Sequence, residues 1–130
     1  MKIRVYYEDT DAAGIVYYAN YLKFCERARS ERFFSEGKLP QSEEGYFVVR
    51  HLEADYIKPA MLGDLLEVRS ELLEKKGASI TLLQRVLKEE EPLFVMRVRL
   101  VYLKEGRVCR IPEELGSLIS DWNESYPSSS

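Results

Sequence analysis

The chain has little of what metal and redox chemistry ordinarily use. Cys25 and Cys109 are its only cysteines, and His51 is its only histidine. Two thiols without a CxxC spacing and a single imidazole do not make an ordinary zinc site. They read as buried or free thiols of a reducing compartment. No apolar run approaches the length needed to span a bilayer, and Met1-Lys2 leads straight into a strand carrying Arg4 rather than into a signal sequence. These two absences point to a cytoplasmic protein. An excess of positive charge is also missing: the net charge of -3 argues against binding a phosphate backbone as the main function. What remains is an ordinary soluble composition, 45% hydrophobic and 32% charged over 130 residues. That is enough chain to bury a core without metal or disulfide staples.

The pattern of side chains predicts one strand, one long helix and then a series of antiparallel strands. Ile3 to Tyr7 reads as the first strand. Asn20 is placed to cap a helix from about Tyr21 to Glu36, in which Tyr21, Leu22, Cys25, Ala28 and Arg29 recur at helical spacing, with Phe33 and Phe34 widening the apolar stripe. Gly37 stops this helix, and Pro40 follows. From Tyr46 to Ile57 the chain is rich in aromatic and β-branched residues. Leu66, Val68, Ser70 and Leu72 then alternate with Leu65, Glu67, Arg69 and Glu71, as in a half-buried strand. Lys76-Gly77 and Glu89-Glu90-Glu91-Pro92 mark turns on either side of Ile80, Leu82, Gln84 and Val86. Phe94, Met96, Val98, Leu100 and Tyr102 line one face of the next strand, with Arg97 and Arg99 on the other. Lys104-Glu105-Gly106 turns the chain again, and Pro112 opens a short helix towards Trp122. The expectation is a single α+β domain over residues 1–124, with residues 125–130 as a frayed tail. Its long sheet edge is most simply covered by a second copy.

The chemistry concentrates between Tyr6 and Tyr21. Two carboxylates, Asp9 and Asp11, stand with Gly14 among aromatic residues, immediately before a helix start. A calcium loop is ruled out, because Ala13 stands where an oxygen ligand is needed and Asn20 replaces the closing acid. An Asp beside the positive end of a helix is instead poised to attack a polarised carbonyl, or to activate water against it. An isolated Asp-x-x-Gly is most often just a turn, so the surrounding residues have to decide.

They do so by resemblance. Arg4-Val-Tyr-Tyr-Glu-Asp-Thr-Asp-Ala-Ala-Gly-Ile-Val-Tyr-Tyr-Ala-Asn-Tyr21, Cys25-Glu-Arg-Ala-Arg-Ser-Glu31 and Asp55-Tyr-Ile-Lys-Pro-Ala-Met-Leu-Gly-Asp64 resemble the YbgC-type acyl-CoA thioesterases of the 4-hydroxybenzoyl-CoA thioesterase family. The resemblance implies a hotdog fold, a five- or six-stranded antiparallel sheet wrapped around the long helix. It also implies edge-to-edge homodimers that often pair into tetramers, with sites at the subunit interface and no metal or other cofactor. The catalytic carboxylate falls on Asp11, as nucleophile or general base, and the backbone N–H that polarises the thioester carbonyl falls on Tyr18. Gly14 allows the close backbone approach of that loop. Asp9 becomes a turn residue. YbgC-type relatives carry His where this chain has Tyr18, so an imidazole role there is lost while the backbone role survives.

Other residues are weaker candidates. Tyr7 reads equally as a pocket residue and as a core aromatic. Lys75 and Lys76 flank a turn from which they could meet the phosphates of coenzyme A, but a solvated hairpin turn is the favoured reading, since exposed lysines at turns are ordinary. His51 and Asp64 read as ordinary strand and turn residues. The substrate implied is an acyl-CoA, with an acyl carrier protein as another carrier of the acyl group. A hydratase would need a pocket His that the motif lacks. A non-catalytic acyl-CoA-binding or scaffold-associated hotdog domain is the alternative from a different class.

Overall fold

In the computed structural model residues 1–39, 41–42 and 45–122 are described. The strands are β1 (Lys2–Arg4), β2 (Gln41–Ser42), β3 (Gly45–Tyr56), β4 (Leu65–Lys75), β5 (Ser79–Lys88), β6 (Glu91–Lys104) and β7 (Arg107–Val108). Two helices, α1 (Asn20–Phe34) and α2 (Glu113–Ser120), join them, with one 3-10 turn at Tyr7–Asp9. All strand pairs are antiparallel, in the order β1-β4-β5-β6-β3-β2, with β7 added to β6. Among the described residues the sheet therefore has seven strands rather than five or six, two of them only two residues long. The expected tail lies outside the described residues.

The alternation read from the sequence is the alternation of the sheet. Leu66, Val68 and Ser70 of β4, Ile80, Leu82, Gln84 and Val86 of β5, and Phe94 to Tyr102 at every second position of β6 are buried. Arg97 and Arg99 face the other way and are exposed. Helix α1 lays Tyr21, Phe24, Cys25 and Ala28 into this surface. A residue buried like Phe24 contributes about 2–3 kcal/mol of transfer free energy. Phe34, expected in the apolar stripe, is instead 49% exposed at the last position of α1.

One polar network crosses the interior. Gln84 is fully buried, and its Nε2 donates to the Cys25 carbonyl at 3.0 Å and to the Ser70 Oγ at 2.9 Å. Its Oε1 accepts from Arg29 Nη1 at 2.9 Å. One amide thus ties α1 to both β4 and β5. Beside it, burial pushes the Cys25 thiol up to about 12, which keeps it protonated and inert.

The outer edge of β3 is the exposed border of the sheet. Strand β2 covers it only at Gly45 and Tyr46; from Phe47 to Tyr56 it has no partner among the described residues. Val49, Leu52 and Tyr56 are exposed along it.

Candidate active site

The first strand ends at Arg4, three residues earlier than its sequence suggests. Asp9 is the cause. Its Oδ2 accepts the Tyr6 N–H at 3.0 Å, which pulls Tyr7–Asp9 into the 3-10 turn. The Asp9 carbonyl then accepts the Tyr17 N–H at 3.0 Å and the Asn20 Nδ2 at 2.8 Å. Asp9 is buried and organises the loop, in keeping with its reading as a turn residue. Asn20 is no cap. It is the first residue of α1, buried, and its amide ties the helix start back to the loop.

Between these anchors the chain reverses. The Asp11 N–H donates to the Ile15 carbonyl at 2.9 Å and the Gly14 N–H to the Asp11 carbonyl at 3.1 Å, with Gly14 at a φ of 77°. A Cβ added at Gly14 meets nothing within 4 Å, so no close approach within this chain requires the glycine. Its left-handed backbone does. Gly14→Ala is therefore expected to lower stability by about 1 kcal/mol without a clash, measured by urea denaturation.

The second resembling run holds the first in place. The Val16 N–H donates to the Ala60 carbonyl and the Leu62 N–H to the Gly14 carbonyl, each at 2.9 Å. Ile15 bridges to Met61, and the Tyr21 hydroxyl accepts the Ala60 N–H at 2.9 Å. Asp64 accepts the Met61 N–H at 2.8 Å and pairs with Lys88 at 3.0 Å, a turn residue as expected.

On this platform Asp11 is exposed. Its Oδ1 accepts the Ala13 N–H at 2.9 Å, which fixes the carboxylate's orientation while leaving it open to solvent. The Tyr18 N–H has no acceptor among the described residues, and it stands two residues before α1 begins. Unpaired N–H groups at a helix start attract negative charge. The Tyr18 carbonyl accepts the Tyr56 hydroxyl at 3.1 Å, and the Tyr18 ring lies 4.7 Å from Tyr17 and 6.2 Å from Tyr56. Burial raises the pKa of both Tyr21 and Tyr56, so both hydroxyls stay protonated. Tyr18, Tyr21 and Tyr56 line an open cleft of about 280 Å3 with Val16, Ile57 and Pro59.

The remaining candidates separate. Tyr7 is 82% exposed, which removes its reading as a core aromatic; its carbonyl accepts both the Thr10 N–H and hydroxyl. Lys75 and Lys76 lie at the β4–β5 turn, with Arg110 and the start of α2 around a broad depression. The loop platform adjoins the other end of β4, ten residue steps away, or about 33 Å. A single subunit does not bring these lysines to Asp11. Tyr56 was not singled out from sequence, where the only signal was its place in the Asp55–Asp64 run.

An antiparallel sheet curled on a long central helix is the hotdog arrangement. The chain belongs to the thioesterase superfamily, whose family model matches residues 13–95. It is similar to the acyl-CoA thioesterase YbgC of Helicobacter pylori, 54% identical over 86 residues, covering 66% of this chain and 65% of that one. The chain thus spans just under two thirds of that relative's length. Among solved structures it is similar to a probable thioesterase from Bartonella henselae, 34% identical with a TM-score of 0.81, over 86% of this chain and 97% of the other. It is also similar to a thioesterase complexed with coenzyme A and zinc from Thermus thermophilus, 30% identical with a TM-score of 0.78, over 92% and 94%. Among the described residues no helix is long and apolar enough to cross a membrane.

Proposed function

We propose that the protein is a cytoplasmic acyl-CoA thioesterase that hydrolyses a thioester to a free acid and coenzyme A. The observation that supports this most is the pairing, on one backbone-locked loop, of an open carboxylate at Asp11 with an unpartnered N–H at Tyr18. Attack on the thioester carbonyl moves an electron pair onto its oxygen, and the Tyr18 N–H at the positive end of α1 stabilises that oxyanion. Asp11 either attacks the carbonyl itself or takes the proton of an attacking water; collapse of the intermediate then expels the coenzyme A thiolate. Neither role needs a metal or redox cofactor. Relatives named acyl-CoA thioesterases support the substrate class.

The open cleft of about 280 Å3 falls short of the ~300–1,000 Å3 that usually encloses a small ligand. We assign its completion to a second copy paired along the free β3 edge, which ends at Tyr56 beside the cleft. Thiol release from a panel of short, long and aromatic acyl-CoAs, and from an acylated carrier protein, tests the activity. Binding across the panel without turnover would leave a non-catalytic acyl-CoA-binding domain instead. Sedimentation should give two or four times 15.2 kDa. Full turnover by a monomer would refute the shared site.

A further inference from the structure

Besides the cleft at Tyr18, a second, separate cavity lies where α1 faces β3. Ring pairs fix the two elements side by side: Tyr21 lies 5.6 Å from Tyr56 at one end, and Phe33 lies 6.0 Å from Phe47 at the other. On α1, Glu26, Arg29 and Phe33 fall on one stripe by their spacing. The second cavity, at the Phe33 end, has a volume of about 300 Å3, with Phe33, Phe47, Val49, Ile80 and Leu100 as its apolar wall.

Two donor side chains, Arg29 and Trp122, border that cavity. Arg29 spends one N–H on Gln84, and no carboxylate lies within ion-pair distance of it among the described residues. Glu26 borders the same cavity and acts on Arg29 only through space. Burial is the main influence on this guanidinium and pulls its pKa below the ordinary value, the mark of a cation short of compensation. Trp122 is 3% exposed, and its indole N–H is buried with no hydrogen-bond partner among the described residues. A guanidinium carries five N–H donors in a fork that matches a carboxylate, and those that Arg29 does not give to Gln84 are left for a ligand.

From this geometry we infer that the far end of the substrate's acyl group sits between Arg29 and Trp122, and that the preferred acyl group ends in a carboxylate. The inference rests on the proposed function, which places the thioester at Tyr18. A neutral hydroxyl would satisfy Trp122 but leave the arginine's charge uncompensated; a carboxylate answers both. Nine helical steps separate Asn20 from Arg29, about 13 Å along the axis, and helical side chains lean back towards the N-terminus. An extended acyl chain of about eight to ten carbons fits that span.

The test compares kcat/KM for octanoyl-CoA against its ω-carboxy counterpart suberoyl-CoA, and decanoyl-CoA against sebacoyl-CoA. Wild type, Arg29→Gln, Arg29→Lys and Trp122→Phe are compared, with circular dichroism confirming that each is folded. Wild type should favour the carboxyl-ended member by about tenfold or more, as one charge-assisted pair implies. Arg29→Gln should bring the ratio near unity, Arg29→Lys should restore part of it, and Trp122→Phe should reduce it about threefold. Calorimetric binding of the same pairs to Asp11→Asn reads the preference without turnover. If Asp11→Asn remains active while the chain-end preference follows Arg29, the catalytic assignment falls and this inference stands. Equal binding of both chain ends, or a ratio indifferent to every Arg29 and Trp122 variant, overturns the inference alone.

Discussion

Replacing Asp11 by Asn is expected to lower kcat for acyl-CoA hydrolysis by about 10²–10⁴-fold while leaving the fold intact. The substitution is close to isosteric, and the one contact that orients the side chain, the Ala13 N–H on Oδ1, has an acceptor in either residue. What disappears is the negative charge, and with it both the nucleophile and the base. Substrate binding should change far less, so the loss should appear in kcat rather than in KM. Because Asp11 is exposed and makes no other side-chain contact among the described residues, the melting temperature should move by no more than a degree or two. Thiol release undiminished in Asp11→Asn would remove this residue from the mechanism. Rapid quench of a single turnover, followed by mass analysis of the Asp11 peptide, separates the two roles. An acyl adduct on that peptide marks the nucleophile, and a peptide unmodified throughout the turnover marks the base.

The Tyr18 donor is a backbone group and cannot be deleted by changing a side chain. Its position depends on the anchors around it, and these are the part of the site least legible in the sequence. Asn20 has the residue type of a cap and stands one position from where a cap belongs. Its partner, however, is the carbonyl of Asp9, eleven residues away, so local capping rules point to the wrong bond. The strand faces were legible because burial on one side imposes a period of two, as from Phe94 to Tyr102. The turn at Glu89-Glu90 was legible from its acids and the following proline. Its left-handed φ angles of 49° and 70°, on two residues other than glycine, were not. The separation of Lys75 and Lys76 from Asp11 needs only the length of β4 and the rise per residue. That both resembling runs belong to one site follows from their hydrogen bonds, Val16 to Ala60 and Leu62 to Gly14, which no periodicity encodes.

The largest stability effect is expected at Gln84. Nothing in the alternation of β5 distinguishes it from Leu82 or Val86, since it occupies the same buried face and is as fully enclosed. It is polar because three separated groups need it: the Cys25 carbonyl, the Ser70 hydroxyl and the Arg29 guanidinium. Gln84→Leu keeps the volume nearly constant and removes all three contacts. The apolar replacement recovers some transfer free energy, but it leaves a half-buried cation without the one hydrogen-bonded partner it has among the described residues, and that deficit is larger. A net loss of about 3 kcal/mol is expected, which for a domain of this size lowers Tm by about 10 °C. The same change releases Arg29 into the cavity it borders, so the preference for a given acyl chain end should shift along with the melting temperature. The double variant Gln84→Leu with Arg29→Leu separates the contributions. If the unpaired guanidinium is the main source of the loss, removing it as well should restore much of the lost stability, and calorimetric melts of the two single variants and the double variant close that cycle. A double variant no more stable than Gln84→Leu would instead place the loss in the ties to Cys25 and Ser70.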